Sequence, residues 1–443
     1  MSSVVDEDLT PLQEWEQLEE YFHKGSKKEQ DWRVGTEHEK FGWWPDRRCP
    51  PTYEGARGIQ RILEALGADT GWTAHQEQGR LLALNHGGAS VTLEPSGQLE
   101  LSGRPHKSLL DTAAEFDAHL EALKPISEAL EVNWSGVGFM PWGTPDEMPL
   151  MPKPRYVVLE KRLRAAGKLG LHMMRQTATV QANFDYGNEA DAFRKLRAAL
   201  YLQPVITAIF ANSPVVNGRL VNEVSFRAKV WLDVDDARCR LPDRFLRPDA
   251  CFRDYIDWVM DVPMLFVHRD SQYVDMTAHT FRAFMRDGAR GYTATLGDFG
   301  LHLSTLFPDV RLKQFIEVRA ADMGSRAYVL GLPALHLGWL YDSIALADVL
   351  RIFDEMEPSL WHRIKHEVPI HGLRLKIPGC DMATLARDLI EVAYDGLSRR
   401  EPAALHLLDP IREAVRRGTC PADQLRKEFD GTPESILRQT ELI

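Results

Sequence analysis

Glu37 and Glu39 lie two residues apart in Arg33-Val34-Gly35-Thr36-Glu37-His38-Glu39-Lys40-Phe41-Gly42-Trp43, a stretch that reads as a β-strand. A strand sends alternate side chains to one face, so the two carboxylates emerge together while His38 and Lys40 point the other way. Carboxylates at this spacing repel unless a cation lies between them or one is protonated. Such oxygen-rich pairs suit Mg²⁺ or Mn²⁺, which prefer carboxylate and water ligands. Taken alone, the pattern also fits an ordinary solvated strand face.

More acids follow at strand-like spacing. Ser90–Glu94 and Gln98–Ser102 flank the turn residues Pro95–Gly97, and one polar face of this hairpin carries Glu94 and Glu100. Met174–Asp185 alternates so regularly that one long strand is expected, with Arg175, Thr177, Thr179, Gln181 and Asn183 on its polar face. Arg311–Arg319 reads as another single strand with Glu317 and Arg319 sharing a face, and Ser225–Trp231 brings Arg227 and Trp231 together. If these strands share one sheet face, five carboxylates (Glu37, Glu39, Glu94, Glu100, Glu317) and two neutral oxygen donors (Gln181, Asn183) face the anion clamps Arg175, Arg227 and Arg319. Divalent cations bridging phosphate oxygens, with arginines spreading the remaining charge, meet the needs of phosphoryl transfer. There is no Walker A pattern and no GxGxxG after a strand, so a nucleotide would be held by metals and side chains. His38 and His86 are possible general bases, although buried or surface histidines are more often structural. The cysteines show no activating pattern of neighbours.

Helical spacing marks residues 11–23, 59–66, 108–131 (kinked or broken at Pro125) and 189–210 (interrupted near Pro204). From about residue 327 the chain reads as mostly helical. With no repeat or long linker, the expectation is an α+β fold, one large catalytic domain over residues 1–443 with helices outside an antiparallel sheet. The balance of 53 basic against 64 acidic residues, net charge −11, disfavours nucleic acid as a partner. The acidic start Met1–Asp8 lacks an apolar core, no run is long enough to span a bilayer, and the five cysteines are scattered, which together predict a cytoplasmic protein without a membrane partner.

Gly35–Gly42, Glu94–Gly103, Thr177–Asp185 (TATVQANFD), Ala211–Pro214, Phe226–Asp233, Phe307–Asp322 (FPDVRLKQFIEVRAAD) and Leu332–Asp342 (LPALHLGWLYD) run in an order that resembles the plant and proteobacterial type of glutamate–cysteine ligase. That resemblance implies a curved antiparallel half-barrel, similar to the glutamine-synthetase catalytic sheet, surrounded by helices. It implies ATP-dependent ligation of L-glutamate to L-cysteine through a γ-glutamyl phosphate, the first step of glutathione synthesis, with Mg²⁺ or Mn²⁺. Carried over by position, Glu37, Glu39, Glu100 and Glu317 match metal and phosphate positions. Gln181 falls where some relatives place a histidine ligand, and Glu94 serves a metal or orients the cysteine amine. Arg227 and Arg319 would bind the glutamate carboxylate and the transferring phosphoryl group, with Arg155, Thr179, Asn183 and Trp231 in the substrate pocket. Plant members carry regulatory cysteines where this chain has Met276 and a cysteine-free stretch to residue 295, so a monomer or weak homodimer without a redox switch is expected. The rival readings are a γ-glutamyl ligase using another amine, a guanidino kinase, and a binding protein with a vestigial site.

Overall fold

Ten consecutive residues, Val34–Trp43, form the strand (β1) on which the sheet is built, and three others pair with it. The computed structural model describes residues 8–44, 46, 48–68 and 71–443, so residues 1–7, on which the N-terminal reading rests, lie outside it. The remaining strands of the main sheet are β2 (Thr73–Glu77), β3 (Arg80–His86), β4 (Ala89–Leu93), β5 (Leu99–Ser102), β6 (Asn133–Ser135), β7 (Val180–Phe184), β8 (Val310–Leu312) and β9 (Ile316–Val318). Their order is β8-β9-β7-β1-β5-β4-β3-β2, with β6 joined to the far end of β1, and every pairing is antiparallel. The sheet is large but does not close into a barrel, and helices cover it, as the α+β expectation required.

Alternation explains which face is apolar. Val180, Ala182, Phe184, Ile316, Val318 and Leu312 are buried in one core with the helices Leu109–Leu130, Glu189–Phe210 and Arg326–Leu340. Leu82, Leu84, Val91, Leu93, Leu99 and Leu101 are buried in a second cluster with the helix Ile59–Gly67. Burying each such side chain contributes roughly 1.5–3 kcal/mol relative to exposure.

Several local expectations are overturned. The long strand over 174–185 is two elements: Met174–Gln176 belong to the helix Gly170–Gln176, and the strand β7 begins only at Val180. The Thr177 hydroxyl donates to the Met173 carbonyl at 2.6 Å, completing the helix end that the alternating pattern concealed. Arg311–Arg319 is not one strand but the β8–β9 hairpin, with Lys313 N–H donating to the Phe315 carbonyl at 2.8 Å in the turn. Neither proline breaks its helix, since Leu109–Leu130 runs through Pro125 and Glu189–Phe210 through Pro204. One lost backbone hydrogen bond at Pro204 is outweighed by packing, because every residue from 198 to 210 is buried. The helix Pro154–Ala166 was missed, and Pro358–His371 falls in the stretch read as mostly helical. Among the described residues no single helix is long and apolar enough to cross a membrane.

Candidate active site

Strand register gathers the polar residues on one face. Glu39 on β1 stands opposite Glu100 on β5, and Glu37 stands between Ser102 on β5 and Gln181 on β7. Asn183 on β7 faces Glu317 on β9, which in turn faces Arg311 on β8. Directly opposed residues, and those two apart on a strand, share a face, so these side chains form an oblique band across five strands.

Glu94 joins the band from the turn after β4. Gly97 N–H donates to the Glu94 carbonyl at 3.0 Å with Gly97 at φ +84°, a left-handed conformation that glycine adopts without strain. Lys153 Nζ and the Tyr156 hydroxyl both donate to the Leu93 carbonyl at 2.7 Å, tying the start of the helix Pro154–Ala166 to this turn. Carboxylate oxygens of Glu39, Glu94 and Glu100 then lie within 4.8 Å of one another, and the three residues are 8%, 7% and 1% exposed. At such a separation each pair of full charges would repel by about 3 kcal/mol at an effective dielectric of 20. Burial, then the neighbours Glu94 and Glu100, holds the Glu39 carboxyl well above its usual value; burial and Glu100 raise Glu94. Burial, followed by Arg155, pushes the Lys153 ammonium down to about 7. Three dry acids, with Glu94 Oε1 lacking a hydrogen-bond partner, are a donor set that fits a hard divalent cation.

The raised values set a testable pH dependence. A carboxyl whose pKa is higher folded than unfolded makes the native state bind more protons, so its contribution to stability falls as pH rises from the unfolded value, 4.5, through the folded one. Glu94→Gln therefore gains stability over metal-free wild type as pH rises above about 4.5, by up to roughly 1.4 kcal/mol per pH unit within the titrating window. Urea unfolding of both proteins in chelator across pH 4–8 checks this, and a difference that is flat or falls with pH contradicts it.

The other end of the band is built around arginines. Asn183 Nδ2 donates to Glu37 Oε1 at 3.0 Å, leaving Glu37 Oε2 and Asn183 Oδ1 buried without hydrogen-bond partners. Gln181 donates to Glu39 at 3.4 Å, but its oxygen, the atom a metal would use, accepts from Arg319 Nη1 at 2.5 Å. Glu317 is fully buried and gripped by Arg311, Nε to Oε2 at 2.8 Å and Nη2 to Oε1 at 2.7 Å, while Arg319 Nη1 donates to Oε1 at 2.6 Å. Burial would raise the Glu317 carboxyl, but Arg311, Arg319 and Lys313 outweigh it and hold it well below the usual range. Glu317 thus anchors Arg319 in this structure.

Arg227 lies on the helix Phe226–Trp231 and donates to the carbonyls of Arg319 (2.9 Å) and Ala320 (3.0 Å), its guanidinium 5.8 Å from the Trp231 ring. Its Nε is buried without a hydrogen-bond partner, as is that of Arg155 near Glu94. The Thr179 amide donates to Glu39 Oε2 at 3.1 Å and its hydroxyl to the Ala321 carbonyl at 2.7 Å, so Thr179 holds the site's frame. Arg175, expected as an anion clamp, instead donates to the Pro145 carbonyl at 2.9 Å and to Glu160 at 2.8 Å. His38 packs on the opposite face, 3.2 Å from Lys40 Nζ and ring-to-ring with Phe116 at 4.7 Å, and His86 contacts the Gly71 carbonyl at 2.7 Å. Neither histidine is placed as a base. Arg311, Lys153 and Asp322 were missed. For Arg311 the signal was its alternation with Glu317, misread as one strand.

With this geometry in hand, the profile of glutamate-cysteine ligase family 2 matches residues 33–440. The chain belongs to that family. It is 37% identical to the chloroplastic glutamate–cysteine ligase of Brassica juncea over 419 residues, 94% of this chain and 81% of that protein. The Medicago truncatula chloroplastic enzyme is also 37% identical, over 98% of this chain and 85% of its own length. The fold is similar to the crystal structure of a Francisella tularensis glutamate–cysteine ligase in complex with AMP (TM-score 0.56, 13% identity, 92% and 89% of the two chains). A bifunctional glutathione synthetase from Pasteurella multocida matches with TM-score 0.52 at 13% identity, over 96% of this chain and 52% of its own. The cytoplasmic assignment does not stand: these plant relatives of the ligase family are named as chloroplastic, and scattered thiols and an acidic first segment do not report a compartment.

Proposed function

We propose that this member of the glutamate–cysteine ligase family joins the γ-carboxylate of L-glutamate to the amine of L-cysteine at the expense of ATP, the first step of glutathione biosynthesis. The observation that carries the reading is the band itself, a dry three-carboxylate cage on one sheet face with the fixed arginines Arg227 and Arg319 beside it. In the first step a γ-carboxylate oxygen bonds to the terminal phosphorus of ATP and ADP leaves. In the second the cysteine nitrogen bonds to the acyl carbon of the γ-glutamyl phosphate, phosphate leaves, and the amine loses its proton.

Glu39, Glu94 and Glu100 would hold one Mg²⁺ or Mn²⁺, and the spare oxygens of Glu37 and Asn183 suit a second. Such cations, when bound, neutralise phosphoryl oxygens and stabilise the charge of transfer. Arg319, fixed by Glu317 and Gln181 before substrate arrives, presents positive charge that needs no reorganisation during the reaction. Arg227 offers its spare Nε–H to the glutamate carboxylate, with Trp231 beside it and Arg155 at the Glu94 end.

The test is ADP release with Mg²⁺, ATP and glutamate, adding cysteine, 2-aminobutyrate or other amines in turn, with Glu37→Gln alongside. Cysteine-dependent turnover that yields γ-glutamylcysteine and falls at least about a hundredfold in the variant is expected. Turnover only with another amine moves the function to the rival ligase, and none with any acceptor sinks the enzymatic reading.

A further inference from the structure

Asp322 lies outside the carboxylate cage of Glu39, Glu94 and Glu100, yet it joins the elements that carry Arg227 and Thr179. It is 2% exposed, and both of its oxygens are occupied. Oδ2 accepts from the Asn212 amide at 2.8 Å and from the Ser213 hydroxyl at 2.6 Å, and Oδ1 accepts from the Ser225 hydroxyl at 2.8 Å. Each serine then acts on the arginine helix. Ser213 Oγ accepts from the Arg227 amide at 3.1 Å, and Ser225 caps the helix by accepting from Ala228 N–H at 3.0 Å. The Arg227 guanidinium itself stands 4.0 Å from Asp322 Oδ1 while bonding the carbonyls of residues 319 and 320, a few residues upstream.

Two further contacts place the residue. Asp322 bridges Thr179 across antiparallel backbone, and a Cβ placed on Gly138 would meet Asp322 Cγ at 2.4 Å, so a glycine there lets the chain close onto it. Among these residues Asn212, Ser213 and Asp322 fall in stretches that resemble the ligase family, yet the catalytic reading gives them no task.

We propose that Asp322 is the positioning residue for Arg227, orienting it through the Ser213 and Ser225 hydroxyls and thereby setting the affinity for the carboxylate of the acid substrate. The inference rests on the ligase reading for the identity of that substrate, but not for the geometry. A carboxylate that accepts three hydrogen bonds and faces a guanidinium cannot be replaced by an amide without one donor meeting another donor.

Asp322→Asn and the milder Ser225→Ala are compared with wild type in the cysteine-dependent assay, in thermal unfolding and by crystallography. The expected result for Asp322→Asn is a KM for glutamate raised about tenfold or more, with the KM for ATP within about twofold; Ser225→Ala moves the same way by less. A merely structural role would lower Tm and move both KM values together, and that outcome overturns the proposal. If wild type shows no glutamate-dependent turnover, the ligase reading has failed, and the variant's structure still decides the geometry. Arg227 keeping its bonds to the carbonyls of 319 and 320 in Asp322→Asn overturns the positioning role, and a displaced guanidinium upholds it.

Discussion

Glu39→Gln should lower the rate of ligation by about a thousandfold while leaving the metal-free protein at least as stable as wild type. The two effects have one origin. Glu39 lies between Glu94 and Glu100 at one end and the arginines Arg227 and Arg319 at the other, and burial plus its acidic neighbours already hold its carboxyl well above the usual value. Neutralising it removes buried like-charge repulsion, so the empty cage is relieved, but the cage then presents less charge to a divalent cation. The lost stabilisation is of the size seen when one fixed charge partner is removed at a transition state, roughly 3–4 kcal/mol. Steady-state kinetics and thermal unfolding, with and without Mg²⁺, check the pair. The distinguishing signature is that Mg²⁺ raises Tm in wild type far more than in the variant. A variant that is both active and equally stabilised by Mg²⁺ would remove Glu39 from the cage.

Arg311→Met should be among the most destabilising substitutions in the chain, costing about 3–5 kcal/mol, because it leaves Glu317 buried with a charge and fewer partners. Arg311 is 1% exposed and Glu317 fully buried, so neither water nor a rotamer change can replace the two hydrogen bonds. Arg319 would keep Glu317 partly compensated, but at the expense of its own fixed orientation, so residual folded protein should have a low kcat. The companion variant Arg311→Met/Glu317→Leu separates the two consequences. Removing both charges should restore much of the stability, since replacing a buried ion pair by apolar groups of similar volume is often neutral. It should not restore activity, because Arg319 loses its anchor. Urea unfolding and single-turnover rates on the three proteins measure this. Recovery of activity in the double variant would show that Glu317 does not position Arg319.

The parts of the site that were legible in the sequence are those in which local pattern and tertiary need coincide. On β1 the period-two alternation alone places Glu37 and Glu39 on one face, and pairing with β5 and β7 keeps that face. Glu94 and Glu100 were visible because a proline–glycine turn announces its hairpin, and Gly97 adopts the positive φ that such a turn needs. Arg319 was visible from sharing a strand face with Glu317, and Arg227 from its place beside Trp231, whereas the pocket roles of Arg155 and Thr179 came from resemblance to a family and not from spacing. Arg175 shows the opposite failure. Its alternation with Thr177 and Thr179 looked like a strand face, but a helix ending at Gln176 turned it toward Glu160.

The sequence by itself determined which residue types meet at short range: the strand spacing of the acids, the hairpin turns, the apolar periods that bury one side of the sheet and the motif order that marks the family. Only the tertiary structure decided how those residues are used. Whether Glu317 serves a metal or an arginine depends on Arg311 being folded back by a two-stranded turn. How the helix carrying Arg227 is held depends on Asp322, 95 positions further along, meeting two serines from other loops. The physical reason is that a buried charge is defined by its partners. Solvation is lost on folding, and what replaces it comes from segments far apart in the chain, which no local period can announce.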